Sequence, residues 1–291
     1  MPNHIIQPSE LIINPDGSVF HLHLRPEQLA DKIILVGDPG RVDMVAEQFD
    51  TRDFTVQSRE FRTIGGTLGG HRIMCLSHGI GPDNIDIVIT ELDALANVDF
   101  STREVRSDHR TLEMVRIGTS GALQPDIPAA TPVIAERSIG FDGVLNYYAG
   151  RNSVCDLDFE QALCDHTGWN PLWARPYVVA SAPGLVERIG RNDMMRGNTI
   201  SAVGFYGPQG REVRLALANP DLNARLATFS HEGRRITNYE MESAPLEGMS
   251  LLMGHKAMTV CSIIANRVNH NANATYKNAV ADLVATVLSR I

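Results

Sequence analysis

The sequence predicts an α/β protein organised around a mainly parallel sheet, and three observations support this prediction. Short runs rich in β-branched residues recur along the chain, and several end at glycine-containing turns. Stretches with apolar residues at helical spacing lie between these runs, so strands and helices alternate. The composition shows no shift that marks a linker, and no internal repeat is visible. We therefore expect a single domain over residues 1–291, with residues 1–19 as an N-terminal arm.

The first predicted strand and helix occupy residues 32–49. Residues 32–37, Lys-Ile-Ile-Leu-Val-Gly, form a short apolar run ending at glycine, which is typical of a buried strand. Residues 42–49 carry apolar side chains at helical spacing. Residues 72–77 predict a second strand that ends in a glycine turn, and Asp83 or Asn84 is expected to cap the next helix.

The rest of the chain continues this alternation. The charged residues 99–113 are expected to form a solvated excursion between a helix and the next strand. Further strands are predicted at residues 114–118, 132–135, 177–180 and 257–265, and a closing amphipathic helix at residues 273–291. Ligands of such sheets bind at the carboxyl ends of the strands, so functional side chains are expected in the turns that follow them.

Charge and cysteine usage exclude some classes of protein. The chain has 26 Lys and Arg against 34 Asp and Glu, a net charge of −8 with no basic run, which argues against nucleic-acid or anionic-membrane binding. The four cysteines lack metal-binding spacing and are expected to be thiols in a reducing compartment: Cys75, Cys155, Cys164 and Cys261. The sequence shows no signal peptide or run of transmembrane length, so we expect a cytoplasmic protein.

Three arginines lie at or beside predicted strand-end turns: Arg41, Arg59 and Arg116. The planar guanidinium suits bidentate binding of phosphate oxygens. Gly37 and Gly118 would let backbone amides approach an anion, and Thr119 would add a hydroxyl donor. Each arginine alone is better explained as a surface residue or a buried ion-pair partner, but together they make a small-anion site an equally good explanation. Neither glycine cluster fits a Walker A loop or a dinucleotide fingerprint.

Residues 205–211, Phe-Tyr-Gly-Pro-Gln-Gly-Arg, place an aromatic ring, an amide and a guanidinium close together. Gln209 can donate and accept hydrogen bonds, whereas Arg211 can only donate. The two could read a planar heterocycle with two carbonyls and an N–H between them, while Phe205 stacks on its face. The spacing alone still favours a Gly-Pro turn with incidental polar residues.

Residues 238–243, Asn-Tyr-Glu-Met-Glu-Ser, precede an apolar run at residues 246–253. Alternate residues of an extended segment share a face, so Glu240 and Glu242 could reach one ligand where a strand runs into a helix. Carboxylates accept hydrogen bonds, which suits the hydroxyl donors of a sugar. Taken alone, the segment is better explained as an acidic helix start at the positive end of the helix dipole.

Together these motifs resemble nucleoside phosphorylase family I, over roughly residues 20–291. The motifs occur in the order of the family: Gly37-Asp38-Pro39 with Arg41, Ser58-Arg59-Glu60-Phe61, residues 116–121 and residues 238–243. The 205–211 loop resembles the base-recognition loop of the uridine phosphorylases. The resemblance implies a single three-layer α/β domain whose central mixed, mainly parallel twisted sheet is flanked by helices. It also implies a pentosyltransferase that converts uridine and phosphate reversibly into uracil and ribose 1-phosphate.

The resemblance also implies a role for each motif. Phosphate would be held by Gly37, Arg41, Arg116 and Thr119, with Arg59 of the partner subunit. Uracil would be bound by Phe205, Gln209 and Arg211, and ribose by Glu240, Met241 and Glu242, with His21 of the partner subunit over the 5′-hydroxyl. Arg116 and Arg211 would be the catalytic residues. Phosphate is then a co-substrate, no cofactor or metal is expected, and the assembly is a homodimer or a dimer-based hexamer with shared sites.

Two features set this sequence apart from relatives of the family, and the first of them bears on the choice between purine and pyrimidine. Purine-specific relatives carry an aspartate after the last strand, and Asn266 stands in that region here and cannot act as a general acid. The turn at residues 78–83, which begins with His78, departs from the Gly-Gly-Pro-Ser pattern common in bacterial relatives. A purine nucleoside phosphorylase, a nucleosidase that uses water, and a non-catalytic nucleoside-binding protein remain alternatives, although three arginines argue against water as the nucleophile.

Overall fold

The computed structural model describes residues 5–269, 271–272 and 276–291. The strands are β1 (Lys32–Val36), β2 (Thr51–Ser58), β3 (Phe61–Leu68), β4 (His71–Ser77), β5 (Val98–Asp99), β6 (Glu104–Val105), β7 (Glu113–Ala122), β8 (Pro132–Gly140), β9 (Tyr177–Ala180), β10 (Met195–Ser201), β11 (Ser230–His231), β12 (Arg234–Glu240), β13 (Lys256–Asn266) and β14 (Asn271–Ala272). The helices are α1 (Pro39–Ala46), α2 (Pro82–Asn97), α3 (Leu157–Thr167), α4 (Pro183–Gly190), α5 (Leu222–Thr228), α6 (Ser243–Leu252) and α7 (Tyr276–Leu288).

Twelve of the strands form one mixed sheet in the order β11-β12-β10-β8-β13-β7-β1-β4-β3-β2, with β9 on β8 and β14 on β13. The central pairings of β1 with β4 and β7, and of β7 with β13, are parallel, as are those of β10 with β8 and β12. Antiparallel pairings join β13 to β8 and build the β2–β3–β4 edge. β12 also pairs with the end of β7, so the sheet curls and brings Asn238 beside Ala122. The predicted α/β class with a central mixed sheet is confirmed.

Strand β1 shows why the fold has three layers. Its alternate residues point to opposite faces of the sheet and are buried on both. Ile33 and Leu35 join a core that includes residues of α2 and α6. Ile34 and Val36 join a second core with residues of α1, α4 and α7. Helices therefore cover both faces of the sheet, which explains the continuous apolar run of β1.

The N-terminal arm lies against the domain. Within residues 5–31 the structure has one short 3-10 helix, Pro26–Gln28. Val19, Leu22 and Leu24 are nevertheless fully buried and belong to the core under α2 and α6. The segment around His21 is therefore held in place by packing.

Several predicted element boundaries were wrong for local reasons. Gly118 and Thr119 do not form a turn, because β7 continues pairing with β13 up to Ala122. Helix α2 is capped by Gly81, with φ of 97°, and begins at Pro82 rather than after Asp83 or Asn84. Proline fits the first position of a helix because its φ is fixed and it lacks the N–H that would be unpaired there. The hairpin of β2 and β3 and the strand β10 were not predicted.

The remaining predicted elements lie close to their positions in the structure. Helix α1 begins at Pro39 and ends at Ala46, earlier than the predicted residues 42–49. The charged residues 99–113 are mostly exposed, with a small β5–β6 hairpin at their start. The closing helix begins at Tyr276 in the structure, and the predicted residues 273–275 lie outside the described residues.

Two further findings concern the surroundings of the chain. None of the helices in the described ranges is long and apolar enough to cross a bilayer. The four cysteines are free, and Cys75 and Cys261 are buried. Burial raises the pKa of the Cys261 thiol to about 12, so it is a neutral packing group at physiological pH.

Candidate active site

The segment with the two carboxylates is the passage from β12 to α6. Strand β12 ends at Glu240, and α6 begins at Ser243. Glu242 occupies the N-cap position of the helix and Met241 is half-buried between the two carboxylates. Both glutamates are buried, at 4% and 5% exposure. The prediction that a strand runs into a helix here is confirmed, and so is the helix-start interpretation.

Although Glu242 occupies the N-cap position, it is the side chain of Glu240 that caps α6. Its carboxylate accepts hydrogen bonds from the backbone N–H groups of Glu242 (2.8 Å) and Ser243 (3.0 Å). The hydroxyls of Ser201 and Ser243 donate to Oε1 over 2.7 Å and 2.6 Å. Nη1 of Arg116 lies 2.8 Å from Oε2. A carboxylate has about four lone-pair sites. Donors of the protein therefore occupy the lone pairs of the Glu240 carboxylate, and a ribose hydroxyl would have to share its oxygens with them.

Arg116 joins the two carboxylates. It lies in the middle of β7, is 4% exposed, and forms ion pairs with both Glu240 and Glu242. Burial alone would lower the pKa of Arg116, but Glu242 and Glu240 outweigh this effect and raise it above its ordinary value. The buried ion-pair interpretation of Arg116 is thus what the structure shows, and a phosphate contact would be additional to it.

Glu242 has fewer partners than Glu240. Its Oε1 accepts from the backbone N–H of Gly81 over 2.8 Å, and its Oε2 faces Arg116. Burial raises the pKa of Glu242, and Arg116 opposes that shift. Because its oxygens retain free lone pairs, Glu242 is the better placed of the two glutamates to accept from a sugar hydroxyl.

Gly118 makes room for the guanidinium of Arg116. A Cβ at this position would lie 2.8 Å from Nη1 of Arg116 and 2.9 Å from Sγ of Cys261. Real Cβ atoms do not approach other atoms this closely, so a larger residue would displace the arginine. The prediction that this glycine presents its backbone amide in a turn was wrong, because it lies within β7.

The turn after β1 lies beside this cluster. Asp38 caps α1 by accepting from the N–H of Gly40 over 2.9 Å, and Gly37 precedes it, half-buried. Nη1 of Arg41 donates to the carbonyl of Ile117 over 3.4 Å. Burial lowers the pKa of Arg41, and the charge of Arg116 adds to this. Over the described ranges no carboxylate lies within ion-pair distance of Arg41, so this cation has room for an anion.

The two other side chains predicted to bind phosphate are those of Thr119 and Arg59. Thr119 is half-buried in β7, opposite Ser262 of β13. Arg59 is exposed at the tip of the β2–β3 hairpin with φ of 53°. Its guanidinium lies 5.7 Å from the ring centroid of Phe20. Arg59 and the segment of His21 thus lie together at the surface, where a second subunit could receive both.

The 205–211 loop forms a short 3-10 helix, Gly207–Gln209. Arg211 lies over the ring of Phe205, with its Cζ 3.8 Å from the ring centroid. Its Nη1 donates to Oε1 of Gln209 over 2.6 Å. The three side chains predicted to bind one heterocycle are therefore together. In this structure the Phe205 ring stacks on the guanidinium.

Asn223 of α5 braces this loop. Its Nδ2 donates to the carbonyl of Gln209 over 3.1 Å, and the hydroxyl of Tyr239 donates to its Oδ1 over 3.1 Å. Gly210 has φ of 68°, and a Cβ there would lie 2.3 Å from Nδ2 of Asn223. Because Tyr239 immediately precedes Glu240, this contact also links the loop to the carboxylates.

A cavity of about 640 Å³ opens between this loop and the end of β13. Arg211 and Arg267 both line it, together with small apolar residues of α5. Nη1 of Arg267 is buried and has no hydrogen-bond partner among the described residues. Burial lowers the pKa of Arg211, and the charge of Arg267 lowers it further. Two guanidinium groups facing one cavity favour a ligand with hydrogen-bond acceptors.

Asn266, beside Arg267, has a structural role. Its Nδ2 donates to the carbonyls of Gln124 (2.9 Å) and Ile127 (2.8 Å). Its Oδ1 accepts from the N–H groups of Val268 and Asn269. The amide is fully used in holding the chain after β13, and no proton donor to a purine ring stands here.

His21 is held by Glu91 of α2. Its Nδ1 lies 2.6 Å from Oε1 of this buried carboxylate, and the backbone N–H groups of His21 and Leu22 donate to the same group. Nε2 of His21 makes no hydrogen bond within the described part of the chain. The histidine predicted to reach a partner's site is therefore fixed, with one ring nitrogen still available.

One group of side chains has the spacing of a metal site: Asp93, His109 and His255. Nδ1 of His255 accepts the backbone N–H of Leu112 over 3.2 Å, which places the ring proton on Nε2, where it faces Asp93 over 3.0 Å. His109 bonds the carbonyl of Met253 over 2.9 Å. A metal would need the nitrogens that these bonds already use, so the cluster is better explained as a tie between α2 and the start of β13.

The structure thus brings two groups of predicted residues together and separates a third. Arg116, Glu240 and Glu242 form one buried cluster beside Gly37 and Arg41, and Phe205, Gln209 and Arg211 form the loop over the cavity. Among the described residues, His21 contacts Glu91 and Arg59 contacts Phe20, and neither forms a hydrogen bond or ion pair with the two groups. Sequence reasoning missed the contributions of Ser201, Glu91 and Arg267, and these contacts join parts of the chain that no local pattern connects.

The fold and this site define a class of protein. The family model of the phosphorylase superfamily matches residues 31–291, so the chain belongs to that superfamily. The resemblance inferred from the sequence motifs is confirmed.

The chain is also similar to individual members of this superfamily. Uridine phosphorylase of Thermococcus kodakarensis is 28% identical over 263 residues, which is 88% of this chain and 80% of the relative. Uridine phosphorylase of Haemophilus influenzae is 28% identical over 277 residues, covering 94% and 97% of the two chains. A crystal structure of Trypanosoma brucei nucleoside phosphorylase, described as showing uridine phosphorylase activity, has a TM-score of 0.87 at 26% identity and covers 96% of this chain and 98% of that one.

Proposed function

We propose that this protein catalyses the reversible phosphorolysis of uridine to uracil and ribose 1-phosphate. The observation that carries the proposal is the placement of Arg116. It holds both carboxylates of the β12–α6 passage and lies beside Arg41, which has no carboxylate partner among the described residues. The proposed anion site and the proposed sugar site therefore share one buried side chain. The relatives named uridine phosphorylase support the same assignment.

Phosphate is proposed to bind between Gly37, Arg41, Arg116 and Thr119, with Arg59 of the partner subunit. The arginines would orient the phosphate dianion below C1′ of the ribose. This is chiefly a proximity effect, since it converts the encounter of two substrates into a reaction within one complex. One phosphate oxygen forms the new bond to C1′ as the bond from C1′ to N1 of uracil breaks.

Ribose is proposed to bind through Met241 and Glu242, with Glu240 acting through the cap of α6. The carboxylate of Glu242 has free lone pairs for the ribose hydroxyls. Its negative charge also stabilises the positive charge that develops on the ribosyl ring in the transition state.

Uracil is proposed to bind in the cavity beneath the 205–211 loop, through Phe205, Gln209 and Arg211. The departing base takes the electron pair of the C1′–N1 bond, and negative charge builds on its carbonyl oxygens. Arg211 and Arg267 face the cavity and would stabilise that charge. A purine reaction fits less well, because the amide of Asn266 is fully used by the protein.

The complete site is proposed to need two subunits, because His21 and Arg59 lie at the surface and away from Arg116. The assembly would be a homodimer or a dimer-based hexamer. The reaction as proposed uses inorganic phosphate as co-substrate and needs no cofactor or metal. We further propose a cytoplasmic location, in keeping with the free cysteines.

The test mixes the protein with uridine, with and without inorganic phosphate, and measures the decrease in nucleoside absorbance. A parallel reaction uses inosine in place of uridine. We expect uridine to be cleaved only when phosphate is present, with ribose 1-phosphate as product. Cleavage without phosphate would show a nucleosidase. Faster cleavage of inosine would show a purine enzyme, and nucleoside binding without any cleavage would show a binding protein.

A further inference from the structure

His78 is a buried histidine that none of the proposed roles uses. It follows β4 in the glycine turn before α2 and is fully buried. Its backbone N–H donates to the carbonyl of Val36, the last residue of β1, over 2.8 Å. A Cβ at Gly37 would lie 3.7 Å from Cε1 of the His78 ring. The imidazole therefore lies against the turn that is proposed to hold phosphate.

The hydrogen bonds of His78 define its protonation. Nε2 accepts the Nε–H of Arg116 over 3.1 Å. A neutral imidazole has one donor and one acceptor nitrogen, so the ring proton is on Nδ1. Burial lowers the pKa of His78 well below its ordinary value, and the charges of Arg116 and Arg41 lower it further. The ring is thus neutral, between two cations.

Nδ1 of His78 is a buried donor without a well-formed hydrogen bond in the described part of the chain, although the carbonyl of Gly79 lies near enough to the ring to oppose part of the fall in its pKa. Most buried polar groups are hydrogen-bonded, and an exception calls for a ligand or a solvent molecule that completes the site. The neighbours of this ring are Gly37, Arg41 and Arg116, three of the residues proposed to bind phosphate.

We propose that His78 is a further residue of the phosphate site: Nε2 fixes the guanidinium of Arg116, and the Nδ1–H donates to an acceptor that inorganic phosphate supplies. The proposal rests on the phosphate site of the proposed function and adds a residue to it. His78 is a positioning residue for Arg116, because it leaves the two terminal nitrogens of Arg116 directed at the glutamates.

A neutral donor suits this position. A third positive charge beside Arg41 and Arg116 would be repelled by both when the site is empty. An imidazole that stays neutral provides one acceptor for an arginine and one donor for an anion, without that repulsion. A glutamine can place a carbonyl oxygen near the position of Nε2, whereas a leucine fills similar space and accepts nothing.

The experiment compares His78→Leu with His78→Gln, and His255→Gln serves as the control. His255 is also buried, but it precedes the amino-terminal end of β13, whereas His78 follows the carboxyl-terminal end of β4. We expect His78→Leu to raise the KM for phosphate about tenfold or more, the loss typical of a hydrogen bond to a charged group. The KM for uridine should change less than about threefold, and His78→Gln, which restores the acceptor for Arg116 but not the donor to phosphate, should recover part of the loss. His255→Gln should leave both constants unchanged.

Two kinetic results would overturn the proposal. One is an unchanged KM for phosphate in His78→Leu. The other is an equal rise in both KM values that His78→Gln does not relieve, since this is the behaviour of a merely structural residue.

A second measurement does not depend on the folding of the leucine variant or on turnover. In protein labelled with ¹⁵N-histidine, the signals of His78 are those that His78→Gln removes. We expect a neutral ring with the proton on Nδ1, and a shift of this nitrogen when inorganic phosphate is added but not with chloride at equal ionic strength. Absence of that shift overturns the proposal. If uridine is not cleaved, the proposed reaction fails, while the phosphate titration still decides the role of His78.

Discussion

Nδ1 of His21 and Oε1 of Glu91 lie 2.6 Å apart, although the two residues are 70 positions apart in the chain. Glu91 is 6% exposed and also accepts the backbone N–H groups of His21 and Leu22. It thus fixes the backbone and the ring of the histidine at the same time. The carboxylate keeps a proton on Nδ1, so Nε2 is directed away from α2 as the nitrogen available to a ligand.

Glu91→Gln should weaken the contact that His21 is proposed to make with a 5′-hydroxyl. The amide oxygen can still accept the backbone N–H groups, but its NH₂ group cannot accept from Nδ1. We expect kcat/KM for uridine to fall about tenfold and that for 5′-deoxyuridine to fall less than about twofold. The control is Asp93→Asn, because Asp93 lies on the same helix as Glu91 but contacts His255 instead of His21. An equal loss with both nucleosides would mean that Glu91 only stabilises the arm.

Arg211→Ala should lower kcat/KM for uridine about hundredfold, because it removes a donor to the leaving base. The thermal midpoint should change little, since Arg211 lies in a surface loop and has no carboxylate partner within the described ranges. Arg214→Ala provides the matched control, as an exposed arginine three residues further along the same loop. Activity equal to that of the control would remove Arg211 from the base site.

Glu242→Gln and Glu240→Gln should have different effects. Glu242 has free acceptor capacity, so its variant should raise the KM for uridine about tenfold, in addition to the stability lost with its buried ion pair to Arg116. Glu240 caps α6 and accepts from five donors, so its variant should lose about 1–3 kcal/mol of stability. Steady-state kinetics and urea unfolding of both variants provide the measurements. A larger rise in the KM for uridine in the Glu240 variant than in the Glu242 variant would show that Glu240 is the ribose ligand.

The free energy of unfolding is expected to depend on pH through the buried carboxyl group of Glu247. Glu247 is 1% exposed in α6, and the hydroxyls of Ser138, Ser181 and Thr259 lie near its carboxyl group without forming well-aligned hydrogen bonds. Burial raises the pKa of Glu247 from its ordinary 4.5 to about 8. A folded-state pKa above the unfolded value means that the native state binds the proton more tightly. The contribution of Glu247 to stability is fully present below its pKa in the unfolded state, and it is lost as the pH rises through its pKa in the folded state.

Glu247→Gln should therefore remove part of the loss of stability at alkaline pH. The shift corresponds to a change on the order of 5 kcal/mol between about pH 5 and pH 9. Urea unfolding across this range should show a steeper decline for the unsubstituted protein than for the variant. Glu27→Gln, which alters an exposed glutamate, should keep the original slope. Parallel curves for the Glu247 variant and the unsubstituted protein would show that Glu247 is not protonated in the folded state.

The parts of the site that sequence reasoning predicted are those defined by neighbours in the chain. The alternation of Glu240 and Glu242 and the approach of Gln209 to Arg211 follow from spacings of two residues. The apolar run of β1 likewise predicted a strand buried on both faces. Local spacing is sufficient for such features, because backbone geometry fixes the relative direction of nearby side chains.

The parts that were missed depend on how the sheet curls. The contact of Ser201 with Glu240 joins two strands, and that of Arg116 with Glu240 depends on the pairing of β12 with the end of β7. Gly118 illustrates the same limit. Its local sequence suggests a turn, but β13 continues to pair with β7 beyond it, up to Ala122. Tertiary pairing overrides the local preference there.

The bracing of the 205–211 loop by Asn223 has a consequence for protein engineering. The loop is tied to α5, whereas the arginine–glutamate cluster is tied to the central strands. Asn223 also contacts Tyr239, next to Glu240, and is therefore kept unchanged. Base preference can then be varied by directed evolution in a library restricted to positions 205–211 and 267. Such a library would leave the ribose and phosphate chemistry of the parent intact, so that each new specificity could be selected on an already functioning catalyst.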